Sequence, residues 1–243
     1  MLSDDLRGIF YVMLKDLRAY YFKPPNISWG ILFPFTFLLA FSLRSPGDPE
    51  TLVPGLLGLT LLFGTTSMEA IIITFERRIG ALERLLLAPM RLPALLAGKL
   101  LGGMVFGLAT TLVTLAILAA VFGLGAVNWA LLVLALLLSA AAFSALGILV
   151  SVAVKEVFEA QTLANAVRFP MMFLGGVFVP VAALPAGLNV VARFLPLTYS
   201  VEVLQIALRG GSTAVALLDL GVLAGYTAVL FALSMRVLRR WTD

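Results

Sequence analysis

Long apolar stretches alternate with short polar breaks along most of this chain, and nearly every stretch is long enough to cross a bilayer, for which about 17 to 25 mostly apolar residues suffice. The pattern predicts six spans, at about residues 27–43, 52–75, 94–122, 129–154, 162–180 and 214–235. The third is longer than a bilayer requires and predicts a tilted or protruding helix. Residues 1–23 follow a different rule. Leu2, Leu6, Ile9, Phe10, Met13, Leu17, Tyr20 and Tyr21 recur at intervals of three and four with charges between them. That spacing predicts an amphipathic helix lying in the membrane interface. Lys23-Pro24-Pro25 ends it, because proline lacks an amide donor and disfavours helix in the residue before it.

Two segments break the regular alternation. In the first, Gly175-Gly176, Pro180, Pro185, Gly187 and Pro196 interrupt an apolar run. The fifth span is therefore expected to end near Pro180, with residues 181–211 forming short external helices that dip back into the membrane. Such backbone persists at membrane depth only where protein or a water-filled cavity satisfies its polar groups. The second is a charged island at residues 76–90. Ile79, Leu82, Leu85 and Leu86 recur there at helical spacing among Arg78, Glu83 and Arg84, and Pro89 and Pro93 close the segment. A short amphipathic helix is expected, with an apolar ridge that could fill a partner's groove and charges that set orientation. The plainer alternative is a basic loop serving topology alone.

Basic residues orient the chain. Six spans put both termini on one side, and 14 of the 17 Lys and Arg fall on that side, leaving Arg44, Arg193 and Arg209 opposite. By the positive-inside rule, both termini and the island are expected to be cytoplasmic.

Composition agrees with a single polytopic, all-α membrane domain over residues 1–243: 61% of residues are hydrophobic and 12% charged, where soluble domains carry roughly a quarter charged. The net charge of +4 sits in short clusters beside the spans, which argues against nucleic acid as a partner. The chain has no Cys and no His, which removes thiol nucleophiles, imidazole bases and the usual zinc sets; neither a catalytic residue nor a metal site is expected. A cleavable signal is not expected either, since charges occupy residues 1–23 where an apolar core would be needed. No phosphate-binding loop is present, because the one Gly-Lys pair, Gly98-Lys99, is followed by Leu100 and preceded five positions earlier by Pro93. If ATP drives this protein, another polypeptide must bind it.

Few ionisable groups lie within the spans. Glu69 and Arg168 are the candidates, each placed nearer the cytoplasmic end than the centre. They read either as a polar patch at the inner mouth of a substrate cavity, with a mutual ion pair, or as residues that snorkel or fix packing. Phe169, Met171, Met172, Phe173 and Phe178 line the expected exit path and favour an amphipathic drug or lipid, or else face lipid and core. Glycine pairs at spacing four, Gly98/Gly102, Gly103/Gly107 and Gly221/Gly225, allow close helix approach without saying which helices meet.

The order of these features resembles a known family. An amphipathic N-terminal helix, six spans, Glu76-Arg77 through Gly80-Ala81-Leu82-Glu83 to Pro89, and Gly175-Gly176-Val177-Phe178-Val179-Pro180 followed by Ala183-Leu184-Pro185 and Pro196-Leu197-Thr198-Tyr199 are similar to the type-two ATP-binding-cassette export permeases. The resemblance implies two permease chains, as a homodimer, with two separate ATPase chains that bind ATP and Mg. No cofactor would be held by this chain. It implies a coupling helix carrying Glu76, Arg77, Gly80, Leu82, Glu83, Leu85, Leu86 and Pro89, with the N-terminal helix and the loop at residues 155–159 as secondary contacts. It implies an external gate containing Gly176, Pro180, Pro185, Pro196 and Tyr199, and a multi-pass protein of a prokaryotic cell membrane that moves substrate outward by alternating access. The importer branch is not matched: Glu159-Ala160-Gln161 lacks the second Ala of its loop, and Asn165 stands where Gly is needed. The competing class is a self-contained carrier or channel. It would need more buried ionisable groups or broken spans in both halves, whereas Pro34 is a lone proline in the first span.

Overall fold

In the computed structural model, residues 2–24, 26–28, 52–123 and 125–241 are described, together with positions 32, 35, 36 and 39. Every regular element among them is helical. Helix α1 (Leu2–Asp16) runs into a π-helical turn (Leu17–Tyr21). Helices α2 (Val53–Arg78), α3 (Ala81–Leu86), α4 (Leu92–Phe122), α5 (Trp129–Ala153) and α6 (Val157–Leu174) follow. A 3-10 turn (Val181–Ala183), α7 (Ala186–Ala192), α8 (Pro196–Arg209) and α9 (Thr213–Arg239) complete the order.

Four helices, α2, α4, α5 and α9, are long and apolar enough to cross a membrane. Helix α2 continues three residues past the expected span into the island, and α9 runs on to Arg239. The expected span at 27–43 and the loop after it lie almost wholly outside the described residues. The expected span at 162–180 is corrected. Helix α6 begins earlier, where the Glu156 N–H donates to Glu159 Oε2 at 3.4 Å, and it ends at Leu174. It carries Glu159 and Arg168 within 18 residues and does not pass the same length and apolarity test. Beyond it, α7 and α8 form a pair bent by 87°, as a broken span or re-entrant loop does, in the region where short returning helices were expected.

Helix α2 is the axis of the bundle, packed by α4, α5, α6 and α8, while α9 leans on α5 and α8. Its buried threonines can sit in an apolar core because each is satisfied within the helix. Thr60 donates to Leu56 O at 2.8 Å, Thr65 to Leu61 O at 2.8 Å and Thr66 to Leu62 O at 2.6 Å. The main apolar cluster joins α2, α4, α5, α8 and α9 through residues such as Leu57, Leu61, Leu118, Phe143 and Leu204. A second cluster closes the island end and joins six helices: Val12 of α1, Ile73 of α2, Leu82 of α3, Leu95 of α4, Val152 of α5 and Leu238 of α9.

Small residues set the closest contacts. A Cβ on Gly98 would stand 2.8 Å from Val12 Cβ and 2.9 Å from Ile9 O, so α1 lies against α4 only because Gly98 is there. Gly107 abuts Thr65 of α2, and Gly103 faces Glu69 of α2 and Ser144 of α5. By contrast, no described residue lies within 4 Å of the Cβ positions of Gly221 and Gly225.

Candidate functional site

The island is built from the end of α2 outward. Helix α2 stops at Arg78, and Gly80 turns the chain with φ 68° and ψ 16°, a left-handed conformation that glycine adopts without strain. The six residues of α3 follow at once. Leu82 is only 3% exposed and belongs to the second apolar cluster, with Leu85 and Leu86 packed against the same cluster. This corrects the expected ridge: Leu82, Leu85 and Leu86 turn inward and fasten α3 to its own bundle, while Ile79 of the same stripe is exposed. The outward face consists of Ile79, Glu83, Arg84, Leu87 and Pro89, with Leu87 86% exposed.

Neighbouring segments brace the island from both ends of the chain. The Arg91 N–H donates to Asp5 Oδ1 of α1 at 3.0 Å, and Gly8 lies against Met90. The Arg77 guanidinium stacks over the Trp241 ring, 4.2 Å from its centroid.

Glu76 does not face outward either. Its carboxylate is fully buried, accepts from Lys99 Nζ at 2.6 Å and also pairs with Lys15. Asp16 completes a closed quartet, 3.2 Å from Lys99 Nζ and 2.8 Å from Lys15 Nζ. Two cations and two anions thereby tie α1, α2 and α4 together beneath the island. Burial first, and then the negative charge of Glu76, raise the pKa of the Tyr20 phenol above its ordinary value beside this quartet. Sequence reasoning counted Lys15 and Lys99 only as orientation charges and passed over Asp16. The signal available was Lys99 itself, a charge set seven residues into an apolar helix.

Glu69 and Arg168 do not meet, and no ion pair joins them among the described residues. Glu69 is wedged in the seam of α2, α4 and α5, where its Oε1 accepts from the Gly103 N–H at 3.1 Å. Cβ atoms on Gly103 and Gly147 would each come within 2.7 Å of its side chain. Arg168 lies in the separate seam between α6 and α2 and donates to Ser67 Oγ at 2.7 Å and Asn165 Oδ1 at 2.8 Å. Eleven residues separate it from the start of α6, which puts it about 16 Å along that helix. Phe173 and Phe178 do come together, with ring centroids 6.2 Å apart.

At the opposite end, the expected gate residues begin each element. Pro180 precedes the 3-10 turn, Pro185 precedes α7, and Pro196 opens α8. Gly176 takes φ 79°, turning the chain after α6. The corner between α7 and α8 is pinned by Tyr199 donating to Arg193 O and Thr198 donating to Ala192 O, both at 2.7 Å.

Comparison with known proteins follows the same outline. Nodulation protein J of Rhizobium leguminosarum bv. viciae is 33% identical over 120 residues, covering 48% of this chain and 46% of that protein. The match thus spans about half the length of that relative. The inner membrane transport permease YadH of Escherichia coli K12 is 24% identical over 194 residues, or 79% of this chain and 75% of that protein. The family profile described as ABC-2 type transporter matches residues 7–208, from the first turns of α1 to the last residues of α8. A chain of apolar spanning helices matched over that length belongs to the ABC-2 type transporter family, as a membrane permease.

Proposed function

We propose that this chain is the transmembrane subunit of an ATP-driven exporter, with six spans and both termini in the cytoplasm of a prokaryotic cell. Two copies would pair with two separate ATPase subunits, which bind ATP and Mg. The family implies an ATP-binding partner, and the observation that carries the docking assignment is the build of α3. A six-residue helix holds its apolar side in the bundle, offers Glu83, Arg84 and Leu87 outward, and is fastened to α1, α2, α4 and α9 at once. Movement imposed on such an element reaches every helix whose end meets it. Nucleotide binding could then favour one facing of the permease over the other, which is all that coupling requires.

The cargo proposed is amphipathic, a lipid-like molecule or drug, received along Arg168, Phe173 and Phe178. Glu69 is left out because its seam is closed by packed helices. The bent pair of α7 and α8, with Gly176, Pro180, Pro185, Pro196 and Tyr199, would form the external gate. Co-purification tests the docking surface. Arg84→Glu and Leu87→Asp should each lower the yield of bound ATPase subunit about tenfold or more, as loss of an interface anchor does, while the chain stays folded. Full recovery of the ATPase with both variants would refute the assignment, and ATP-independent transport by the purified chain would favour a self-contained carrier.

A further inference from the structure

An arginine inside a bilayer is costly and is normally kept with a compensating partner. Arg168 is 2% exposed and forms no ion pair among the described residues. All of its acceptors among the described residues are neutral. Nε donates to Ala164 O at 3.3 Å, Nη1 to Ser67 Oγ at 2.7 Å and Thr66 Oγ1 at 3.4 Å, and Nη2 to Asn165 Oδ1 at 2.8 Å. The Phe63 ring lies 5.0 Å from the guanidinium carbon. Among the described residues the charge is therefore held in place but not neutralised, and one of the five guanidinium hydrogens has no acceptor.

Depth matters as well. Arg168 is eleven residues from the start of α6 and Ser67 eleven from the end of α2, at the same end of the bundle, so both lie about 16 Å along their helices. Counted from the expected span edges at 75 and 162, they lie about 9 to 12 Å inside a hydrocarbon core about 30 Å thick. Ser67 and Asn165 are only partly covered, and from them the open side of α6 continues through Phe169 and Phe173, both exposed. Phe169 stands 6.5 Å from Phe63, and Phe173 stands 6.2 Å from Phe178. A fixed positive fork thus sits at the foot of an aromatic run.

We infer that Arg168, positioned by Ser67 and Asn165, receives the phosphate or carboxylate of an anionic amphiphile whose apolar part lies along Phe169, Phe173 and Phe178. The inference rests on the proposal that the cargo is amphipathic, and it specifies the head. A guanidinium suits this task because it stays charged and its remaining N–H can donate to a carboxylate or phosphate oxygen. The bound anion would supply the countercharge that the helices do not.

The test is direct binding to the purified full chain in phosphatidylcholine nanodiscs, using dioctanoyl phosphatidate and dioctanoylglycerol, which share tails and differ in head. The wild-type chain should bind the phosphatidate about tenfold more tightly or better, as a charge-assisted fork predicts. Arg168→Gln should abolish that preference while changing dioctanoylglycerol binding less than about twofold, and Arg168→Lys should keep part of it, as a point charge does. Equal affinities in the wild type, or an undiminished preference in Arg168→Gln, would overturn the inference. Should Arg168→Gln not fold, Ser67→Ala with Asn165→Ala must weaken the preference at least about threefold, since each removes a positioning bond; no change would overturn it equally. Competition by phosphatidylglycerol added to the nanodisc identifies the anion as a bilayer lipid, and lack of competition identifies it as cargo; both outcomes support the site. None of these readouts needs the ATPase, so failure here is separable from failure of the ATPase co-purification.

Discussion

Glu76 stands two residues from the end of a membrane helix, and its carboxylate is sealed between two lysines and an aspartate's helix. Such a quartet is hard to improve and easy to ruin, because removing one partner strands a buried charge. Lys99→Met leaves Asp16 and Glu76 with Lys15 as their one shared cation, strands a net buried negative charge, and is expected to cost about 3 to 5 kcal/mol, read as a lowered unfolding midpoint in detergent. Adding Glu76→Gln to Lys99→Met should recover part of that loss, so the two changes will not sum; strict additivity would show that the pair is not coupled. At this scale the sequence was legible in type more than in partnership. It marked Glu69, Glu76, Lys99 and Arg168 as charges in or beside apolar runs, but one helix's periodicity carries no information about which side chain of another helix meets it.

Helix α3 is a short element with its two faces assigned to different tasks. The stripe of Leu82, Leu85 and Leu86 read correctly as helical, yet an apolar stripe says only that something covers it, and here the cover is the chain's own α1, α2 and α4. Leu82→Asp is therefore expected to destabilise the permease itself by several kcal/mol, as burial of an unpaired charge does, and to lower the unfolding midpoint. Arg84→Glu should leave that midpoint unchanged. Equal midpoints for the two would show that Leu82 is not part of the core. The contact of α1 with α4 gives a sharper contrast. Gly98→Val has no room and should release α1, seen as faster proteolysis within residues 2–21. Gly102→Ala should not, because the nearest atom to its added methyl is 3.6 Å away. Spacing alone could not separate these two glycines, nor tell them from Gly221 and Gly225, which meet none of the described residues.

As a whole molecule, the chain converges on the island end. Helices from both halves of the sequence, α1 through α5 and α9, share one apolar cluster there, while the opposite end is closed by the bent pair of α7 and α8. Hydropathy made the long helices plain because a bilayer selects strongly for length and apolarity. It misplaced the fifth by several residues at each end, since α6 is set by an acidic N-terminal turn and by Gly175, not by an apolar run. Orientation is testable without background, as the native chain has no cysteine. Arg84→Cys and Arg240→Cys should react with an impermeant maleimide only from the cytoplasmic side, and Ser212→Cys only from the outside; the reverse labelling would invert the topology argued from basic residues.

The stacking of Arg77 on Trp241 gives this permease a fluorophore beside the surface proposed to receive the ATPase. Only three tryptophans occur in the chain, at positions 29, 129 and 241. With Trp29→Phe and Trp129→Phe in place, emission would come solely from an indole within 4.2 Å of the residue that leads into α3. Engagement of a nucleotide-loaded subunit would then be visible as a change in wavelength or quenching, in real time and without any attached dye.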